Sequence, residues 1–183
     1  MKNYTLDILE QLTEYAKEEN TEELEQIVEQ INHSHHIFLA GAGRSGIAIQ
    51  AFANRLLHLG YSVSIVGEIS SPHSHPEDLL IICSGSGETD SLRVLAKKAH
   101  KSGVKIVLFT TTLTSTIGNL ADTIMCVPGK SKVDKSESIK FSQPMGSAFE
   151  QLAFLTFDGL VLNLMDKNGE TNDTMLKRHA DFE

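Results

Sequence analysis

His36-Ile37-Phe38-Leu39-Ala40-Gly41-Ala42-Gly43-Arg44-Ser45-Gly46 decides the fold. The apolar run 36–40 is too short for a helix and ends on glycine, so it reads as a strand. From Ser45 to Leu59, Ala48, Phe52, Leu56 and Leu59 fall on one side at helical spacing. A strand, a glycine turn and an amphipathic helix thus follow one another. The pattern repeats downstream. Strands are predicted over 62–66, 79–83, 104–109 and 123–127, a helix over 88–100 closed by Gly103, and a short helix near 116–120. Strands alternating with helices indicate an α/β fold, a parallel sheet covered on both faces. Ligands of such sheets sit at the carboxyl ends of the strands. The loops after Ala40, Val66, Cys83, Phe109 and Val127 are therefore the places to look for function.

The flanks read differently. Residues 1–35 are charged and helical: Leu6, Leu9 and Leu12 recur at helical spacing, and a second helix starts after Asn20 with Glu23 as its capping pair. Its apolar stripe is Leu24, Val28 and Ile31, with Ile27 beside it. These helices are expected to cover the domain or pack on another subunit. A polar linker over 129–140 leads to a long apolar helix, 145–165, and a polar tail to Glu183. The organisation expected is one domain over 1–183, with N-terminal helices (1–35), an α/β core (36–128), and a C-terminal helix and tail (141–183).

Composition bounds the function. The length, 183 residues, suits one domain with a full core. No run of about 18 apolar residues appears, so no membrane span is expected, and residues 1–7 lack the apolar core of a signal peptide. Cys83 and Cys126 lie inside apolar runs and read as buried thiols in a reducing cytoplasm. The formal net charge of −8 argues against nucleic acid as a partner, since that binding needs a basic face. It leaves room for a small anion held by backbone N–H groups.

Gly41 to Gly46 satisfies G-x-G-x-x-G, and Glu68 follows about 20 residues on, which together form a dinucleotide fingerprint. An NAD-binding module and a ligand-free turn are both open readings of this loop alone. Gly43 with Arg44 and Ser45, a cation and a hydroxyl at a helix start, suits a terminal phosphate or sugar hydroxyls as well. The second loop points to phosphate. In Ser84-Gly85-Ser86-Gly87-Glu88-Thr89, three hydroxyls alternate with glycines at a strand's carboxyl end and at a helix N-terminus, where the dipole favours an anion. The loop has no P-loop lysine, which argues against an NTPase. In the third loop, Thr110-Thr111-Thr112 and Thr114-Ser115-Thr116 could line the site, but Thr116 capping the short helix is the favoured reading.

Between Phe141 and Phe157 the only ionisable side chain is Glu150. A carboxylate on so apolar a helix is costly unless paired or functional. Burial moves a carboxyl toward the range of a general base. A structural ion pair with an arginine such as Arg55 is the alternative. His33, His35, His36, His73 and His75 lack partners at ligand spacing, and no metal is assigned. His179, after Lys177-Arg178 in the tail, could reach a site on its own or a neighbouring subunit.

Phe38 to Gly46, Ser84 to Thr89, Gln143 to Gln151 and Arg178-His179-Ala180 together resemble the 6-phospho-3-hexuloisomerases of the sugar isomerase (SIS) domain superfamily. The resemblance spans nearly the whole chain. It departs at Asp181-Phe182-Glu183, where Asn-Leu-Glu is usual. It implies a three-layer αβα sandwich with a five-stranded parallel sheet of flavodoxin-like kind, and a homotetramer using no metal or organic cofactor. It also implies interconversion of D-arabino-hex-3-ulose 6-phosphate and D-fructose 6-phosphate, a step of formaldehyde fixation by the ribulose monophosphate route. On that reading Ser84, Gly85, Ser86, Gly87, Glu88 and Thr89 hold the phosphate, and Gly43, Arg44 and Ser45 meet the sugar. Glu150 moves a proton through a cis-enediol and His179 shuttles one between oxygens or opens the ring. A non-catalytic sugar-phosphate sensor and another phosphosugar isomerase of the superfamily are the rival readings.

Overall fold

The computed structural model describes residues 2–129 and 143–181. Beyond Gly129, the linker expected over 129–140 lies outside the described residues, as do Phe182 and Glu183. Two helices, α1 (Tyr4–Ala16) and α2 (Thr21–His33), precede the alternating part: β1 (Ile37–Gly41), α3 (Gly43–His58), β2 (Val63–Ile65), β3 (Leu79–Cys83), α4 (Asp90–Lys101), β4 (Lys105–Thr110) and β5 (Thr123–Cys126). The chain closes with α5 (Ser147–Asn168) and α6 (Asn172–Leu176), and short 3-10 turns lie at Gly118–Leu120 and Pro144–Gly146.

The five strands form one all-parallel sheet in the order β2-β1-β3-β4-β5. From β1 the chain winds outward to β2, then crosses back to β3 and continues the other way. The crevice of such a sheet opens where the winding reverses, between β1 and β3. Gly41 pairs with Cys83 in register, so the two loops that follow leave the sheet side by side.

Alternation sends the two faces of each strand into two cores. Ile37, Leu39, Leu79 and Ile81 pack with Ile27, Ile31, Phe52, Leu56, Phe157 and Leu164 under the α2, α3 and α5 side. Phe38, Ala40, Leu80 and Ile82 pack with Leu92, Ala96, Ala99 and Ile117 under α4. All five residues of β3 are buried, each of its four aliphatic side chains contributing about 1.5–3 kcal/mol. Phe157 stacks on Phe52 at 4.7 Å and meets Phe109 edge-on at 4.8 Å, locking α5 to both α3 and β4. The layers are unequal: the β2–β3 crossover, residues 66–78, carries no helix, so α4 and one 3-10 turn cover the second face.

Several boundaries moved for physical reasons. Asn20 is the N-cap of α2, but its side chain accepts from Glu22 N–H and Glu23 does not complete a capping box. The short helix near 116–120 is the 3-10 turn Gly118–Leu120, and Ser115 rather than Thr116 serves its start, its Oγ accepting from Gly118 N–H at 2.9 Å. The 145–165 helix begins two residues later, because Met145 (φ 59) and Gly146 (φ 77) are left-handed. It ends at Gly169 (φ 66), the usual left-handed glycine stop. This helix is long and apolar enough to cross a membrane by composition, but 56% of that window is buried inside the protein. It is a core helix of the domain.

Candidate active site

Each glycine of the first loop has a reason in the chain itself. A Cβ on Gly41 would lie 2.9 Å from Gly46 Cα, and one on Gly46 would meet Gly41 O at 3.1 Å, so both permit close strand–helix packing. Gly43 has φ +57 with open space around it, so it is needed for its backbone angle. Turn geometry and close packing thus account for all three glycines. Arg44 and Ser45 follow in the first turn of α3.

The second loop is wired into β4. Ser84 N–H donates to Phe109 O at 2.9 Å, and Gly87 N–H closes a turn onto Ser84 O at 3.1 Å. The amide of Gly87, counted among the phosphate contacts from sequence, is therefore already engaged. The N–H groups of Gly85, Ser86 and Thr89 find no acceptor among the described residues. The hydroxyls of Ser84 and Thr89 stand 3.5 Å apart. Glu88 lines the cavity, but its carboxylate accepts from Thr116 N–H at 2.6 Å, and that hydrogen bond holds it below the usual carboxylate range. Its side chain therefore ties two loops together and is not placed to hold a phosphate. Thr89 is the N-cap of α4, which starts at Asp90 rather than Glu88.

Three helices begin at one cavity. It measures about 940 Å³, and its lining includes Ala42, Gly43 and Ser45, Ser84 to Ser86, Thr89, Gly146 and Glu150. The N-caps of α3 (Ala42), α4 (Thr89) and α5 (Gly146) make no side-chain capping bond. By contrast, Asn20 caps α2, which starts elsewhere. Each open helix start carries roughly half a positive charge and spare N–H donors. An acidic protein thereby aims the N–H donors of three helix starts at one cavity.

Glu150 sits on the wall of this cavity in the first turn of α5, 5% exposed. Its cation is Arg44, whose Nε donates to Glu150 Oε2. Arg55, the partner considered from sequence, lies instead 3.5 Å from His58 Nδ1. Arg44 is 60% exposed, so the pair joins a buried carboxylate to a solvated guanidinium. Below it Cys83 is fully buried, and burial pushes its thiol up to about 12, which removes it as a nucleophile.

His179 is not brought to this cavity. Its ring stacks on His58 at 5.0 Å, at the far end of α3 from Ser45. That helix separates the two ends by roughly 20 Å. A salt bridge secures the tail there: Arg178 pairs with both oxygens of Glu170 at 2.9 and 3.0 Å and donates to His58 O at 3.1 Å. Within one chain His179 thus lies at the far end of α3 from the cavity. Among the described residues no group of three or more His, Cys, Asp or Glu is placed to hold a metal. His36 bonds to Ser62 and Ser64 instead. Sequence reasoning undervalued Thr110 and Thr111, which bond to the serine–glycine loop. Hydroxyls at a strand end carry no signal of where they turn.

A flavodoxin-ordered sheet with a hydroxyl-rich loop and three open helix starts at its switch point defines an α/β domain built to hold a small anionic ligand. The chain belongs to the SIS domain family, whose pattern matches residues 30–155. It is 44% identical to 3-hexulose-6-phosphate isomerase of Bacillus subtilis, over 98% of this chain and 97% of that protein. It is 32% identical to the enzyme of the same name from Mycobacterium gastri, over 96% of this chain and 88% of that one. A hypothetical protein from Methanococcus jannaschii, whose crystal structure infers a function of 3-hexulose-6-phosphate isomerase, superposes with a TM-score of 0.83. That match has 30% identity and covers 99% of this chain and 100% of the other.

Proposed function

We propose that the chain is a 3-hexulose-6-phosphate isomerase, interconverting D-arabino-hex-3-ulose 6-phosphate and D-fructose 6-phosphate. The observation that carries the chemistry is Glu150, a buried carboxylate facing a cavity whose other wall is a phosphate-type loop. The 44% identity over nearly the full length of an enzyme of that name supports the substrate.

The phosphate sits at the start of α4, with the hydroxyls of Ser84, Ser86 and Thr89 and the free amides of the loop. The sugar extends toward Ser45 and Arg44. The carboxylate of Glu150 takes the proton from the hydroxyl-bearing carbon beside the carbonyl, giving a cis-enediol, and returns it to the former carbonyl carbon. One proton moves between the two oxygens in the same passage, so the substrate is neither oxidised nor reduced overall. General-base help of this kind is worth on the order of 10² to 10⁴ in rate. The exposed guanidinium of Arg44 is free to turn from Glu150 to the charge that develops on the oxygens.

His179 of a second copy moves the proton between the oxygens or opens the ring. The chain acts as a homo-oligomer, a tetramer. Leu9, Ile47, Phe154 and Leu155 line an apolar groove of about 390 Å³ that reaches Arg44 and Glu150, an area suited to a second copy. Its compartment is the cytoplasm, in keeping with two free cysteines, one buried and one half-buried. The test is a coupled assay of hexulose-6-phosphate synthase with formaldehyde and ribulose 5-phosphate, scored for fructose 6-phosphate. Fructose 6-phosphate above a no-enzyme blank is expected. Ligand binding without turnover would refute the enzyme.

A further inference from the structure

The serine–glycine loop is held from behind in a way that its own residues do not explain. The Gly85 carbonyl accepts from Thr110 Oγ1 at 3.0 Å, Thr111 Oγ1 at 2.7 Å and Thr111 N–H at 3.0 Å. A carbonyl oxygen offers two lone pairs, so three donors from the end of β4 saturate it. Thr110 is fully buried, and a buried hydroxyl needs a partner; here the partner is the Gly85 carbonyl. From the other side the Phe149 ring presses on the loop: a Cβ on Gly85 would lie 3.2 Å from Phe149 Cδ1.

A trans peptide is planar, so fixing the carbonyl of residue 85 fixes the N–H of residue 86 in the opposite direction. Gly85, with no Cβ, restricts its own backbone angles least, so the orientation of this peptide depends on the bonds made by its carbonyl. The Ser86 amide, which finds no acceptor among the described residues, points away from β4 on the cavity side.

We propose that Thr110 and Thr111 are positioning residues of the phosphate site, pinning the Gly85 carbonyl so that the Ser86 N–H is presented to the substrate phosphate. This rests on the reading that the serine–glycine loop holds the phosphate. Neither threonine moves a proton in the reaction. Phe149 ties the same peptide to the helical turn that carries Glu150, so the phosphate loop and the base are held in register through one ring.

The test uses the full-length chain with inorganic phosphate as a competitive inhibitor, alongside KM and kcat for the hexulose phosphate. Thr111→Val removes one hydroxyl at nearly constant volume and Thr111→Ser keeps it. Thr111 N–H still satisfies Gly85 O in both, and melting temperature verifies folding. Thr110→Val/Thr111→Val is expected to raise KM and the phosphate inhibition constant about tenfold as the Ser86 N–H loses its charge-assisted bond to phosphate, and Thr111→Val, which leaves Thr110 Oγ1 and Thr111 N–H on the carbonyl, about threefold. kcat should stay within about threefold, and Thr111→Ser within about twofold of wild type throughout. The Ser86 amide resonance should shift with phosphate in wild type and not in the Thr110→Val/Thr111→Val chain. Unchanged KM and inhibition constant in Thr110→Val/Thr111→Val, or a Thr111→Ser as weak as Thr111→Val, overturns the proposal. Ser84→Ala and Ser86→Ala leaving the wild-type inhibition constant unchanged would instead refute the phosphate placement, and the proposal with it.

Discussion

Glu150 and Arg44 form one ion pair but differ sharply in burial, 5% against 60% exposed. Their removal should therefore have opposite signatures. Glu150→Gln takes away a buried charge, keeps the shape, and leaves a guanidinium that water can solvate. Its stability cost should be within about 1 kcal/mol, while kcat falls by roughly 10² to 10⁴ if Glu150 is the base. Arg44→Gln leaves the buried carboxylate without its guanidinium. Two charges about 4 Å apart interact by about 1 kcal/mol in water and about 4 kcal/mol at an effective dielectric of 20. The half-solvated position of Arg44 puts the expected loss at about 1–3 kcal/mol. For a domain of this size that is a drop in Tm of roughly 3–10 °C. Thermal melts by circular dichroism, with turnover by the coupled assay on the same samples, read both quantities. Arg44→Gln should melt lower yet keep more activity than Glu150→Gln. If Glu150→Gln turned over normally while folded, or melted well below Arg44→Gln, the assignment of Glu150 as a buried base would be wrong.

Gly87→Ala should cost about 2–4 kcal/mol in a chemical melt, since its φ is +63 and a Cβ would lie 2.1 Å from Ser115 Oγ; Ser115→Gly in the same chain should recover part of it. Cys83, with its thiol held near 12 by burial, should resist a thiol reagent at pH 8 in the folded protein and react on unfolding; labelling of Cys83 at native stability would contradict the buried floor. Glu170 is held down to about 2, chiefly by its hydrogen bond with Arg178. A folded value below the unfolded one, about 4.3, gives stability that is complete above it and lost as pH falls through about 2. Amide protection of residues 170–180 by hydrogen exchange should therefore persist at pH 5 and fade between about pH 4 and 2; Glu170→Gln should remove this dependence. Finally, mixing Glu150→Gln with His179→Ala chains should restore some turnover, because hybrid oligomers contain intact sites if His179 acts across copies; no recovery in verified hybrids would exclude that role.

Much of the scaffold was legible because its signals are local. The runs 79–83 and 36–40, the glycines at 41, 43 and 46, and the helical stripe from Ala48 to Leu59 all act within a few residues of themselves. The isolated Glu150 stood out for the same reason: a lone charge in an apolar helix is visible in one dimension. Boundaries failed where a backbone angle overrode the pattern, as at the left-handed Met145 and Gly146 and the extended Thr89. The five residues of α6 were too few for periodicity to register.

The sequence by itself determined the parallel α/β class, the serine–glycine loop and the acidic group on the apolar helix. Only the tertiary structure decided the rest. It set Arg44 rather than Arg55 against Glu150, turned the Glu88 carboxylate onto Thr116 and put three donors on the Gly85 carbonyl. It also placed His179 at the end of α3 away from the cavity. Each of these joins residues far apart in the chain, and residue type at one position does not say which distant group will face it. That is settled by strand order and packing, which bring the ends of β1, β3 and β4 and the start of α5 to one cavity and leave the tail roughly 20 Å away at the far end of α3.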